Sequence, residues 1–144
     1  MSRHLGEGWL LPALDAGSRE WFTSGRIRIQ RCDACGAWQH PPEEVCGRCQ
    51  GQALSFQDAA GTGRVESVVV VHHAVHPGLK ERVPYAVAVV SLDGAPGAHA
   101  IGNVVGCEPG AVRIGQAVRA VFEEARDPET GETLRIPQWQ LADR

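Results

Sequence analysis

Lysine is almost missing from this 144-residue sequence: Lys80 is the only one, so the basic side chains are nearly all arginine. Aromatic residues make up only 6% and the net charge is −3, with a pI near 6.0. That balance argues against a protein that grips nucleic acid through a strongly basic, aromatic-studded face. No run of about 18 apolar residues occurs, so no helical membrane span is expected. The first residues lack a charged region followed by an apolar stretch and a small-residue cleavage site. No secretory leader is therefore expected, and the cytoplasm is the expected compartment. Local signatures of catalysis are missing too: there is no Gly-x-Ser-x-Gly, no Gly-rich phosphate loop and no His-Glu-x-x-His.

What the chain does have is 17 glycines and 9 prolines, which favour many turns and short strands over long helices. It reads in three parts: an N-terminal helical segment (1–25), a cysteine-bearing ribbon (26–58) and a β-rich remainder (59–144). In the first part Leu10, Leu14, Trp21 and Phe22 can share one helical face within the stretch from Trp9 to Phe22. Pro12 suits a first turn, while Gly17 and Ser18 weaken the middle. Docking of that face on its own chain is the ordinary expectation, and docking on a partner is the alternative.

The second part holds the strongest signal. Arg26–Arg31 alternates and reads as a strand leading into Cys32. Two Cys-x-x-Cys knuckles follow, Cys32–Cys35 and Cys46–Cys49, separated by ten residues. Each knuckle turns two thiolates toward one ion, with Gly36 and Gly47 expected to supply backbone freedom. Four sulfurs complete a tetrahedral shell with no open position, so Cys32, Cys35, Cys46 and Cys49 are expected to hold a structural zinc. Rubredoxin-type iron uses a similar ligand set. Two disulfides fit poorly in a reducing compartment, and a redox site needs only one pair. The fifth cysteine, Cys107, stands far off in a β-rich stretch and reads as a small buried hydrophobe.

The third part alternates and turns often. Strands are expected at Val65–His72, Pro84–Leu92, His99–Val105, Ala117–Phe122 and Leu134–Trp139, the last broken at Pro137. Asp93-Gly94 and the polar stretch 127–132 supply turns. Five short strands suit a small closed barrel of the OB type. The expected fold class is thus mainly β: a helical segment, a rubredoxin-like zinc ribbon and a small OB-fold barrel. His72, His73 and His76 form either a second metal site or, more ordinarily, a set of solvated loop residues. Glu123 and Glu124 read as a solvated strand end.

The ordered combination of these motifs resembles a known family. It comprises Cys32-x-x-Cys35-Gly36, Pro41-Pro42, Cys46-x-x-Cys49, Gly61-Thr62-Gly63-Arg64-Val65, the run from Pro84 to Gly94, Gly115-Gln116-Ala117-Val118 and Phe122. It resembles the bacterial and archaeal zinc-ribbon/OB-fold proteins once filed as domain of unknown function 35, over nearly the whole chain. The resemblance implies a non-catalytic subunit that associates with and stabilises a thiolase-like acyl-CoA enzyme, either a thiolase or a side-chain-cleaving aldolase, with steroids among the substrates. It carries no catalytic motif, and none is assigned. Acyl-CoA at the subunit boundary would want arginines and a flat apolar surface, and Arg28, Arg31, Trp38 and Arg48 offer those side chains. The competing readings are an OB-fold protein that binds single-stranded nucleic acid and a standalone enzyme built on the histidine cluster.

Overall fold

A computed structural model describes residues 10–142, and in it the chain is mainly β with one short α-helix near its start. The part of the expected N-terminal helical segment that falls on residues 1–9, Trp9 included, lies outside the described residues, as do residues 143–144. The helix, α1, covers only Arg19–Thr23. Trp21 and Phe22 are therefore helical, but Leu10, Pro12 and Leu14 are not. The reason is a polar turn. The Asp15 N–H donates to Ser18 Oγ (2.9 Å) and the Ser18 N–H donates to Asp15 Oδ1 (2.7 Å). This reciprocal pair, with the Arg19 N–H donating to Asp15 O (3.1 Å), caps a helical turn that starts at Asp15, so the helix does not reach back to Leu14. Trp21 is buried in the chain's own core, whereas Leu10 stays 56% exposed.

Three antiparallel strands form the first sheet in the order β2-β1-β3: β1 (Arg28–Cys32), β2 (Trp38–Gln39) and β3 (Leu54–Asp58). The sequence reading assigns no strand at β3. Its Leu54 and Phe56 alternate but are only half-buried, and this edge strand is otherwise polar.

The second sheet closes on itself. Its strands are β4 (Thr62–Val71), β5 (Tyr85–Leu92), β6 (His99–Val105), β7 (Ala117–Arg126) and β8 (Thr133–Leu141), in the order β4-β5-β6-β8-β7. Thr62–Arg64 of β4 returns to pair with β7, which completes an OB-type five-stranded barrel. Closure needs a backbone that passes close to two neighbours. At Gly63 a Cβ would lie 2.3 Å from the Ser91 carbonyl oxygen, so only glycine fits there. Glu66 is the extra residue of a β-bulge between Val65 and Ser67, which bends β4 around the barrel.

Inside, β5 points Ala86, Ala88, Val90 and Leu92 to the core and keeps the intervening residues half-buried. The small alanines leave room for Trp139, which is fully buried and lies against Gly102, where a Cβ would come within 2.9 Å of the indole. β8 runs unbroken through Pro137, contrary to the expected break. Pro137 pairs with Phe122 of β7, and the parallel partner β6 engages β8 only from Trp139 onward. No ladder bond is asked of the missing N–H on that side.

One core joins the parts. Trp21 from α1 and Ile27 and Ile29 from the ribbon side pack with Val65, Val90, Val118 and Trp139 of the barrel. Arg19 pairs with Glu132 in the β7–β8 turn, and Arg28 joins Glu20 (3.2 Å) to Asp58 (2.9 Å). Trp21 also stacks on His40, ring centroids 4.2 Å apart. Among the described residues no helix is long and apolar enough to cross a membrane.

Burial depresses the His40 imidazole from its ordinary 6.5 to about 4. The folded state then takes up this proton less readily than the unfolded chain does. Its contribution to stability is full above about pH 6.5 and is lost as the pH falls toward 4. Urea midpoints measured across this window should drop less steeply for His40→Phe than for the parent chain. Equal slopes would contradict the assignment.

Candidate metal centre

The two knuckles repeat one backbone pattern. In the first, the Cys32 N–H donates to Ala37 O (2.8 Å) and the Gly36 N–H to Cys32 O (2.9 Å). In the second, the Cys46 N–H donates to Gly51 O (2.8 Å) and the Gln50 N–H to Cys46 O (3.0 Å). The residue after the second cysteine must therefore adopt a left-handed conformation. Gly36 does so at φ 79°, and Gln50 does so at φ 66° as the only such non-glycine described. The expectation for Gly47 is corrected here: the left-handed position of the second knuckle belongs to Gln50, and Gly47 instead donates its N–H to Gln39 Oε1 (3.0 Å).

This turn geometry gathers four sulfurs. The Sγ atoms of Cys32, Cys35, Cys46 and Cys49 all lie within 4.8 Å of one another. The Cys32–Cys49 and Cys35–Cys46 separations are both 3.6 Å. Thiolates on one tetrahedral zinc at about 2.3 Å stand roughly 3.8 Å apart, so the set fits the ion. A disulfide needs about 2.05 Å, and all the cysteines are free. Cys32 and Cys46 are buried, while Cys35 and Cys49 stand at the surface.

Backbone N–H groups point at the sulfurs. Cys35 N–H faces Cys32 Sγ at 3.5 Å, Arg48 and Cys49 N–H face Cys46 Sγ at 3.4 and 3.5 Å, and Gly51 N–H faces Cys49 Sγ at 3.4 Å. The amides of Cys49 and Arg48 pull the Cys46 thiol down to about 6, and that of Cys35 lowers Cys32. Cys49 receives the Gly51 amide, which favours its thiolate. The neighbouring sulfurs of Cys32, Cys35 and Cys46, with burial, nevertheless push it up to about 11. Four thiolates this close repel one another, and a divalent cation at their centre removes that penalty. The ribbon is a rubredoxin-like zinc site with four cysteines positioned for one metal ion.

A second layer, which the sequence reading missed, braces the knuckles. Buried Gln30 donates from Nε2 to Glu43 O (2.9 Å) and accepts at Oε1 from Gln39 Nε2 (2.6 Å) and Glu43 N–H (2.9 Å). Gln39 holds Gly47, so the network reaches the second knuckle. Gln30 stands between Ile29 and Arg31, so no sequence signal marked it out.

The other sequence-selected residues fall in different places. Arg31 lies over the Trp38 ring, 4.7 Å from its centroid, and its Nε donates to Gly36 O (3.1 Å). Arg28 is engaged by Glu20 and Asp58, and Arg48 is exposed beside the metal site. His72 and His73 are exposed. His76 Nδ1 accepts from the Gly78 N–H (3.0 Å) and caps the 3₁₀ turn Pro77–Leu79. Among the described residues only the four cysteines form a cluster able to hold a metal. Cys107 is half-buried, and burial and the Glu108 charge raise its thiol, which keeps it a poor nucleophile. Glu123 corrects the expected solvated strand end: it is 4% exposed and accepts from Gln138 Nε2 at 2.9 Å.

Two outcomes follow from this geometry. Gly36→Ala should destabilise the fold by about 1 kcal/mol, whereas Gln50→Gly should be neutral or stabilising, because only the first creates left-handed strain. Denaturant titration of the metal-loaded protein distinguishes them. Cys35→Ala, or chelation, should unfold residues around the knuckles and shift the barrel's amide resonances where Ile27 and Ile29 pack on it, while the remaining barrel resonances stay dispersed. A metal-free ribbon with unchanged dispersion would contradict the site.

Comparison with known proteins places this architecture. The profile of the ChsH2 rubredoxin-like zinc ribbon domain matches residues 23–55, and that of the ChsH2 C-terminal OB-fold domain matches residues 56–123. A probable enoyl-CoA hydratase alpha subunit of Thermomonospora curvata is 39% identical over 134 residues. The alignment covers 91% of this chain but only 39% of that protein, so the chain spans well under half of its relative's length. A DUF35 domain-containing scaffold protein of Methanocaldococcus jannaschii is 33% identical over 99 residues, 67% of each chain. Among solved structures, a chain of an Ltp2-ChsH2(DUF35) aldolase superposes with a TM-score of 0.76 at 36% identity. That superposition covers 92% of this chain and 100% of the other. With ribbon and barrel both matched, the chain belongs to the ChsH2/DUF35 family of zinc-ribbon and OB-fold proteins.

Proposed function

We propose that this chain is a non-catalytic, zinc-binding accessory subunit that associates with and stabilises a thiolase-like acyl-CoA enzyme. The enzyme is a thiolase or a side-chain-cleaving aldolase, with steroid thioesters among its substrates, and the chain helps to form its CoA channel. The observation that carries this reading is the likeness to the DUF35 chain of the Ltp2-ChsH2(DUF35) aldolase, which this chain matches over 92% of its length. The relative named as an enoyl-CoA hydratase subunit supports the acyl-CoA context, since it carries the same module within a longer chain.

The chemistry of this chain agrees with a supporting role. Its four gathered cysteines form a closed shell that offers no position to a substrate. Cys107 is held as a thiol, and His76 is used by its own turn. The ribbon presents Trp38 under Arg31, leaves Arg48 exposed, and holds Arg28 by two carboxylates. We assign Arg28, Arg31, Trp38 and Arg48 to the face that meets the partner or the nucleotide end of its thioester.

Affinity purification of the tagged chain from its native host, followed by mass spectrometry, tests the proposal. A thiolase-like enzyme should copurify in near-stoichiometric amount, and Arg31→Ala with Trp38→Ala should reduce its recovery at least several-fold. A folded, zinc-loaded chain that comes out alone would overturn the accessory-subunit reading.

A further inference from the structure

The four sulfurs of the metal site are not equivalent. Cys32 and Cys46 are buried, each 1% exposed, whereas Cys35 and Cys49 reach the surface. A solute in water therefore meets only the second cysteine of each knuckle.

The backbone distinguishes those two. The N–H groups of Arg48 and Cys49 point at Cys46 Sγ, and one N–H each points at Cys32 Sγ and Cys49 Sγ. Among the described residues no N–H is directed at Cys35 Sγ, which faces the Cys46 sulfur at 3.6 Å. An amide that donates to a thiolate draws charge from it and stabilises it. Cys35 is thus the ligand that is both reachable and without an amide donor, so its sulfur keeps the most available electron pair. Arg31 sets a permanent cation against the same knuckle, because its Nε donates to the carbonyl of Gly36, the next residue (3.1 Å). Partial exposure in an electropositive setting is the environment of a reactive cysteine. Cys46 stands where a second thiolate is needed. From 3.6 Å the two sulfurs must approach by about 1.5 Å to reach disulfide length.

We propose that Cys35 is a modification site, the thiolate at which hydrogen peroxide opens the metal centre, with Cys46 as its resolving partner. The Cys35 sulfur attacks one peroxide oxygen, the O–O bond breaks and hydroxide leaves, which gives a sulfenic acid. The Cys46 thiolate then attacks the Cys35 sulfur, the S–O bond breaks and a second hydroxide leaves. Two thiolates have then given two electrons to one peroxide, and the product is a Cys35–Cys46 disulfide. Cys32 and Cys49 remain, and two sulfurs do not complete the four-coordinate shell that zinc requires, so the ion is lost. A thiol reductant reverses the bond by exchange. A disulfide of this kind is transient in a reducing compartment, as redox-sensing ones are.

The test uses the full, zinc-loaded chain without substitution, since a variant lacking a metal ligand loses its ribbon. A limiting amount of hydrogen peroxide is added with and without dimedone, which traps sulfenic acids. With dimedone, the adduct should sit on Cys35 in several-fold excess over each of the other three ligands. Without it, the zinc captured by a chromophoric chelator should match the disulfide formed, and dithiothreitol with added zinc should restore the site. Digestion after arginine and before aspartate places Cys35 and Cys46 together on fragment 33–48, apart from Cys32 and Cys49. The expected bond therefore appears as a loss of two hydrogens within that fragment. A bond that joins the fragment to Cys32 or Cys49, an adduct that favours another ligand, or a metal centre that peroxide leaves intact overturns the proposal. Any of these leaves the accessory-subunit reading standing, because copurification of the enzyme is read separately.

Discussion

Everything on the N-terminal side of this molecule depends on four sulfurs meeting at one point. A sheet of three strands, one of them two residues long, cannot bury enough apolar surface to hold itself. Structural zinc contributes on the order of 10 kcal/mol of apparent binding free energy in small ribbons, which is folding free energy when the site exists only in the folded state. Here that energy fixes both knuckles and, through Gln30 and Gln39, the loop between them. The same loop presents His40 to Trp21, so the metal indirectly seats α1.

The barrel follows a different logic, in which small and large residues complement each other. Gly63 lets β4 pass between two partners, Gly102 gives up its side chain to the indole of Trp139, and the alanines of β5 keep the interior narrow. A closed five-stranded sheet has no free edge to protect, which suits a module whose surface is free to meet other chains. Ribbon and barrel are not independent beads. Ile27 and Ile29, at the start of the ribbon, belong to the same apolar cluster as Val65 and Val118. A change in the ribbon therefore reaches the barrel through direct packing.

The metal ligands were legible because their chemistry is local: two thiolates three residues apart form a knuckle in any context. The barrel strands were legible because valine runs and glycine-rich turns alternate on the scale of a small barrel. The rest was set by tertiary context. A helix expected from the spacing of Leu10, Leu14 and Trp21 shrank to five residues, because Asp15 and Ser18 cap a turn that starts at Asp15. β3 carries little hydrophobic signal and exists because β1 offers it a ladder. Pro137 looks like a strand breaker until the strand order shows that the end of β6 pairs with β8 only from Trp139 onward. Gln50 takes a conformation normally left to glycine because the knuckle dictates it, and Glu123 is buried because Gln138 receives it.

X-ray absorption at the zinc edge of the purified chain tests the central claim most directly. The account predicts a zinc edge and a single shell of four sulfurs at about 2.3 Å with no oxygen or nitrogen neighbour. An iron edge, or a shell in which a light atom replaces one or more sulfurs, would contradict a closed structural zinc site and with it the constraint from which the ribbon's fold has been derived.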